Sequence, residues 1–122
     1  MIICDTNIFI QYFNGDKPTQ TEIDKIGLSN ILMPSITKME LLRGMENKNK
    51  LQWMQSRIKH FNIIHVTAEV SKIATDLIEN HALSHGLTIP DSLIGAMALV
   101  YDLPLFTYNV KDFRYMPNIK LH

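Results

Sequence analysis

The chain has 122 residues, with twelve Lys+Arg against twelve Asp+Glu, 46% hydrophobic and 20% charged residues, one cysteine, five Gly and five Pro. That length suits one domain, residues 1–122, and the composition excludes disordered, fibrous and disulfide-stapled classes. A net charge of zero excludes an overall basic field, and no apolar run approaches the ~20 residues of a membrane span, so the expectation is a cytoplasmic protein with no signal leader and no membrane.

Ile2 to Cys4 is continuously apolar and stops at Asp5, which predicts a short buried strand; Thr6 to Phe13 then turns into a helix. Asn14-Gly15-Asp16 marks a turn, and Pro18 followed by Ile23 and Ile26 predicts a second helix ending near Gly27. Ile31 to Met33 is the next buried strand, and Ile36 to Met45 follows as a helix carrying Glu40. Lys48 to Lys59 places Leu51, Met54 and Ile58 at helical spacing, and Phe61 to Val66 alternates as a third strand. Val70, Ile73, Ala74 and Leu77 mark the longest helix, Thr67 to His85, stopped by Gly86. Pro90 suits the first turn of a helix whose body, Leu93 to Val100, is apolar nearly all round and therefore central. Leu103 to Thr107 is a short strand, and Ile119 to Leu121 is a last edge strand. Strands alternating with helices predict the α/β class, a parallel sheet with helices on both faces.

In an open α/β sheet the functional crevice lies beyond the carboxyl ends of the strands, where strand order reverses. Asp5 and Asp112 follow strands, while Glu40 and Asp91 lie on helices that follow them, so four acids can meet at one rim. Adjacent carboxylates repel and are costly unless a cation or shared protons compensate, and hard cations most often serve phosphate esters. Each acid has a structural alternative. Asp5 ahead of Thr6-Asn7-Ile8 is good capping chemistry, Thr37-Lys38-Met39-Glu40 has capping-box spacing, Asp91 after Pro90 compensates a helix dipole, and Asp112 is a turn residue before Phe113. Their joint arrangement favours the metal reading. Arg43, Lys48, Lys50, Arg57 and Lys59 against Glu46 make a locally basic flank, for which a solvated helix face is the commoner meaning. The histidines lack a zinc spacing; His65 and His81 read as core or helix-face residues, and Trp53 and Met54 as core by default.

Asp5-Thr6-Asn7 after the first strand, Ser35-Ile36-Thr37-Lys38-Met39-Glu40-Leu41, Ile89-Pro90-Asp91-Ser92-Leu93-Ile94-Gly95-Ala96 and Thr107-Tyr108-Asn109-Val110-Lys111-Asp112-Phe113 together resemble the PIN domain, specifically its VapC-type toxins, over essentially the whole chain. The resemblance implies a three-layer α/β/α sandwich around a mainly parallel sheet of four to five strands. It also implies a Mg2+- or Mn2+-dependent endoribonuclease that cuts RNA through a metal-activated water. Asp5, Glu40 and Asp91 correspond to its acids. The fourth position is open between Asn109, a neutral oxygen donor, and Asp112, and either Glu40 or Asp112 can orient the attacking water. Thr6 and Asn7 are candidates to orient the acids or the scissile phosphate, and Arg43, Lys111 and Arg114 to contact RNA phosphates. The partners implied are an RNA substrate, a cognate antitoxin that covers the acidic pocket, and a second copy of the chain in a homodimer.

Two other readings compete. A degenerate domain of the same fold that binds RNA or protein without cleaving would have to owe its inactivity to Asn109 alone, since Asp5, Glu40 and Asp91 are all present. A phosphoacceptor receiver needs paired acids after the first strand and an Asp after the third; Asp5 has no acidic neighbour, and no Asp lies between Asp24 and Asp76.

Overall fold

The computed structural model describes residues 1–122. The elements run β1 (Ile2–Cys4), α1 (Thr6–Phe13), α2 (Lys17–Ile26), β2 (Ile31–Pro34), α3 (Ser35–Arg43), α4 (Lys48–Ile58), β3 (Asn62–Ile64), α5 (Ala68–His85), α6 (Ile89–Val100) and β4 (Leu105–Phe106), with 3-10 turns at Leu28–Asn30 and Val110–Asp112. Local signals set most of these boundaries. Asp16 caps α2 by accepting from the Thr19 amide at 3.2 Å, Thr67 caps α5 through the Val70 amide at 3.2 Å, and Gly86 closes α5 at φ 66°, a left-handed conformation that favours glycine.

All four strands are parallel, in the order β3-β2-β1-β4. The chain builds outward from β1 through β2 to β3, then crosses back to lay β4 on the other side of β1. Strand order therefore reverses between β1 and β4, and that gap is where a crevice opens at the carboxyl ends. Ile3 pairs with both Leu32 and Leu105, and Cys4 pairs with Phe106.

Alternation along these strands divides the core in two. Ile3 and Leu105 point into a cluster with Val70, Leu77, Ile94 and Met97 from α5 and α6, whereas Cys4, Ile31, Met33 and Phe106 point into one with Ile8, Phe9, Ile23 and Met54 from α1, α2 and α4. The strands have only two to four residues, shorter than the usual ~5–6, so helices on both faces supply most of the cohesion. Fully buried Phe9 and Phe113 each remove enough apolar surface from water to contribute about 2–3 kcal/mol.

Three expectations about extent are corrected. The third and fourth strands are limited to Asn62–Ile64 and Leu105–Phe106, and Ile119–Leu121 forms no strand, only an isolated Leu105–Leu121 bridge. Phe61, Leu103, Ile119 and Leu121 pack into the helix-covered cores rather than into a ladder, whereas Val66 is exposed, and composition does not distinguish these outcomes. Leu105 instead donates its amide to the Lys120 carbonyl at 2.9 Å, which draws the C-terminal segment alongside β4.

Candidate active site

Asp5 is the first residue after β1, and it is 4% exposed. Its Oδ1 accepts from the Thr6 amide at 2.7 Å, so the capping reading holds in part. Its Oδ2 accepts from the Thr107 hydroxyl at 2.9 Å, a bond from the residue just after β4, on the other side of the switch point, that no cap requires. Thr107 in turn accepts from the Asn109 amide at 3.0 Å. This threonine fixes Asp5 and the start of the 109–112 turn together, and the sequence reading passed over it. The available signal was its place at the end of the expected Leu103–Thr107 strand, two residues before Asn109.

Glu40 lies on α3, and Thr37 does not cap that helix: the N-cap is Pro34, without a side-chain bond. The capping-box alternative is thereby removed. Thr37 is buried, its hydroxyl lies 2.9 Å from that of Thr6, and the Thr6 hydroxyl donates to Glu40 Oε1 at 3.0 Å. Since Thr6 has one hydroxyl proton and gives it to Glu40, Thr37 must donate to Thr6. A hydroxyl relay thus ties Glu40 to the residue next to Asp5.

Asp91 stands in the first turn of α6, with its amide donating to the Thr88 N-cap at 3.3 Å. Its carboxyl is pushed up to about 6, chiefly by burial, then by the charges of Asp5, Asp112 and Glu40, with the Thr88 hydroxyl opposing. The Asp5 carboxyl is also raised, again by burial first and in part by Asp112, while its bonds to Thr107 and Thr6 pull the other way. These couplings join four acids from separate stretches of sequence. Asp112 takes part although it sits on a 3-10 turn rather than directly after a strand.

Asn109 is half-buried at the head of that turn, and its side chain makes no capping bond. Asn7 is half-buried beside the acids in sequence, and Arg43, Lys111 and Arg114 are exposed. Elsewhere the basic flank is mostly solvated helix: Lys50 pairs with Glu46 at 3.0 Å, and Arg57 lies 5.4 Å above the exposed Trp53 ring, while Met54 is core. His65 is exposed rather than core, and His81 is half-buried against Tyr115.

No three His, Cys, Asp or Glu side chains converge into a ready-made cage for an ion. Magnesium retains several waters and takes as few as one or two carboxylates directly, so hard oxygen donors close enough to repel one another fit a hydrated divalent cation.

The PIN domain family profile matches residues 2–118. The chain belongs to the PIN domain family. It is 26% identical to Ribonuclease VapC19 of Mycobacterium tuberculosis over 98% of both chains. Among solved structures, a toxin-antitoxin complex from Klebsiella pneumoniae superimposes with a TM-score of 0.81 at 27% identity, over 98% of this chain and 95% of that one. VapBC2 from Rickettsia felis, bound to a DNA fragment from its promoter, gives 0.81 at 27% identity, over 100% of this chain and 98% of that one. As a PIN domain, the protein has the α/β fold and the parallel four-stranded sheet expected from its motifs. No helix is long and apolar enough to cross a membrane.

Proposed function

We propose that this PIN domain is a divalent-metal-dependent endoribonuclease and the toxin of a toxin-antitoxin pair. The observation that carries the reading is that buried Asp5, with both oxygens held by Thr6 and Thr107, and Glu40, bonded to the same Thr6, come together at the rim where strand order reverses, with the Asp91 carboxyl raised by burial and by their charges. A protein that keeps such an arrangement holds charges that only a cation or protons can compensate. The relatives named ribonuclease and toxin-antitoxin complex support the same activity and the same kind of partner.

In this reading Asp5, Asp91 and Glu40 hold Mg2+ or Mn2+, with Asn109 or Asp112 completing the donors. When bound, the ion supplies compensating charge at the scissile phosphate and acidifies water. The chain's own residues set the geometry. Thr107 and the Thr6 amide lock both oxygens of Asp5, and the Thr37–Thr6 relay aims Glu40. Either Glu40 or Asp112 orients the attacking water. Asn7 lies beside the scissile phosphate, and Arg43, Lys111 and Arg114 contact neighbouring phosphates, which positions the strand without reading bases.

The antitoxin docks an apolar segment in a groove of about 250 Å³ between α1, α3 and α4. Ile10, Phe13, Leu41, Met45 and Trp53 line it, and Glu40 stands among them, so an occupant would cover one side of the acids. Exposed Met39, Val66 and Ile89 are the surface proposed for a homodimer.

The test is RNA cleavage with Mg2+, comparing the wild-type protein with Asp5→Asn and Asp91→Asn. Loss of cleavage by at least a hundredfold in both variants, and in EDTA, is expected. Cleavage that survives all three sinks the metal mechanism. Asn109→Ala and Asp112→Asn, each titrated with Mn2+, decide the fourth donor: the substitution that weakens the ion marks it.

A further inference from the structure

We propose that the stacked rings of His85 and Tyr115, beside the acidic crevice, form a platform that stacks one unpaired RNA base next to the phosphate to be cut. This rests on the ribonuclease reading above and specifies what part of the substrate the site would grip. The two rings lie 3.9 Å apart at 15°, and His81, one turn earlier on α5, props Tyr115 from the side at 4.9 Å and 55°. His85 is exposed, and the Ser84 hydroxyl lies 2.7 Å from its Nδ1, so the ring is already oriented before anything binds. A preordered ring loses little entropy when a base covers its outer face.

The location follows from packing. Only Gly86, Leu87 and the Thr88 cap separate α5 from α6, so His85 closes one helix and Asp91 stands in the first turn of the next. One turn beyond Asp91, Gly95 leaves room that Met116 fills: a Cβ at Gly95 would stand 2.9 Å from Met116 Cε and 3.7 Å from Phe113 Cδ1. Buried Phe113 and Met116 therefore seat the 113–116 segment on α6, with Tyr115 between them. The phenol of Tyr115 is shifted upward by burial and then by the charges of Asp91 and Asp112.

A base is the occupant that this chemistry favours. The chain has no net positive charge to hold RNA by a bulk field, and phosphate contacts from exposed Lys111 and Arg114 would position a strand without gripping its bases. Flat aromatic surface beside those cations is the usual means of holding a splayed, single-stranded base.

The experiment uses the full chain and a panel of single-stranded oligoribonucleotides carrying 2-aminopurine at successive positions, with Ca2+ for binding and Mg2+ for cleavage. Wild-type protein is expected to quench 2-aminopurine next to the cut. His85→Ala should abolish that quench and raise KM ~10-fold with kcat nearly unchanged, and His85→Phe should restore both. Cleavage with unaltered KM and quench in His85→Ala, or no rescue by phenylalanine, overturns the platform while leaving the nuclease standing. A wild-type protein that neither binds nor cuts any RNA overturns the nuclease reading and the platform with it.

Discussion

Replacing Asp91 with asparagine isolates the cost of crowding carboxylates in the crevice. The folded protein raises this carboxyl from 3.8 to about 6. The sign follows from linkage: between those values the folded state binds more protons than the unfolded one, so stability falls as pH rises through that window and stays low above it. Full transmission of the shift would correspond to about 3 kcal/mol. The carboxyl is partly open to solvent, so screening reduces this to roughly half, and losing a charge at the α6 N-terminus costs about 0.5 kcal/mol. The expected result is that Asp91→Asn is more stable than wild type above pH 6 by about 1 kcal/mol, or ~4 °C in melting temperature, with near parity at pH 4. The assay is thermal unfolding from pH 4 to 8 in EDTA, repeated with Mg2+. The ion should stabilise wild type above pH 6 and the variant much less. An asparagine variant that is less stable across the whole range, with the wild-type pH dependence intact, would refute the charge-crowding argument.

Other substitutions probe how the crevice is built. Thr107→Val keeps the shape but strips the bonds to Asp5 Oδ2 and from the Asn109 amide; chemical denaturation should show a loss of about 1–3 kcal/mol, and unchanged stability would mean that Thr107 does not hold the two strands' ends together. Gly95→Ala pushes a methyl group into the buried Met116 thioether, for an expected loss of ~1–3 kcal/mol, and combining it with Met116→Ala should recover part of that loss in a double-mutant cycle; strict additivity would contradict the contact. The Cys4 thiol is pushed up to about 12, by burial first and by the Asp5 charge second. A native protein at pH 8 should therefore resist a thiol reagent until denaturant is added, and prompt stoichiometric labelling would show that β1 is not closed as described.

Much of the fold was legible because its signals are local. Asp16, Thr67, Gly86 and Pro90 act within a few residues of themselves, through capping bonds or restricted φ, and they mark the helix boundaries observed. The ends of β3 and β4 were less legible, since apolar residues such as Leu103 and Phe61 suit a helix-facing surface as well as a ladder. The fourth donor stayed open between Asn109 and Asp112, and Glu40 carried a competing capping role. Thr37 stands at capping-box spacing from it, yet Ser35 already lies inside α3, and the threonine turns instead to the Thr6 hydroxyl.

By itself the sequence determined where the helices lie, and it placed Asp5 at the end of a strand and Asp91 in the first turn of a helix, because hydrophobic period and capping chemistry operate along the chain. Only the tertiary structure decided that Thr107 reaches Asp5 across 102 positions, that Asp112 shares the field of Asp5 and Asp91, and that His85 lies against Tyr115. Desolvation, Coulomb coupling and ring stacking depend on distance through space, and that distance was set when β4 crossed back to the far side of β1.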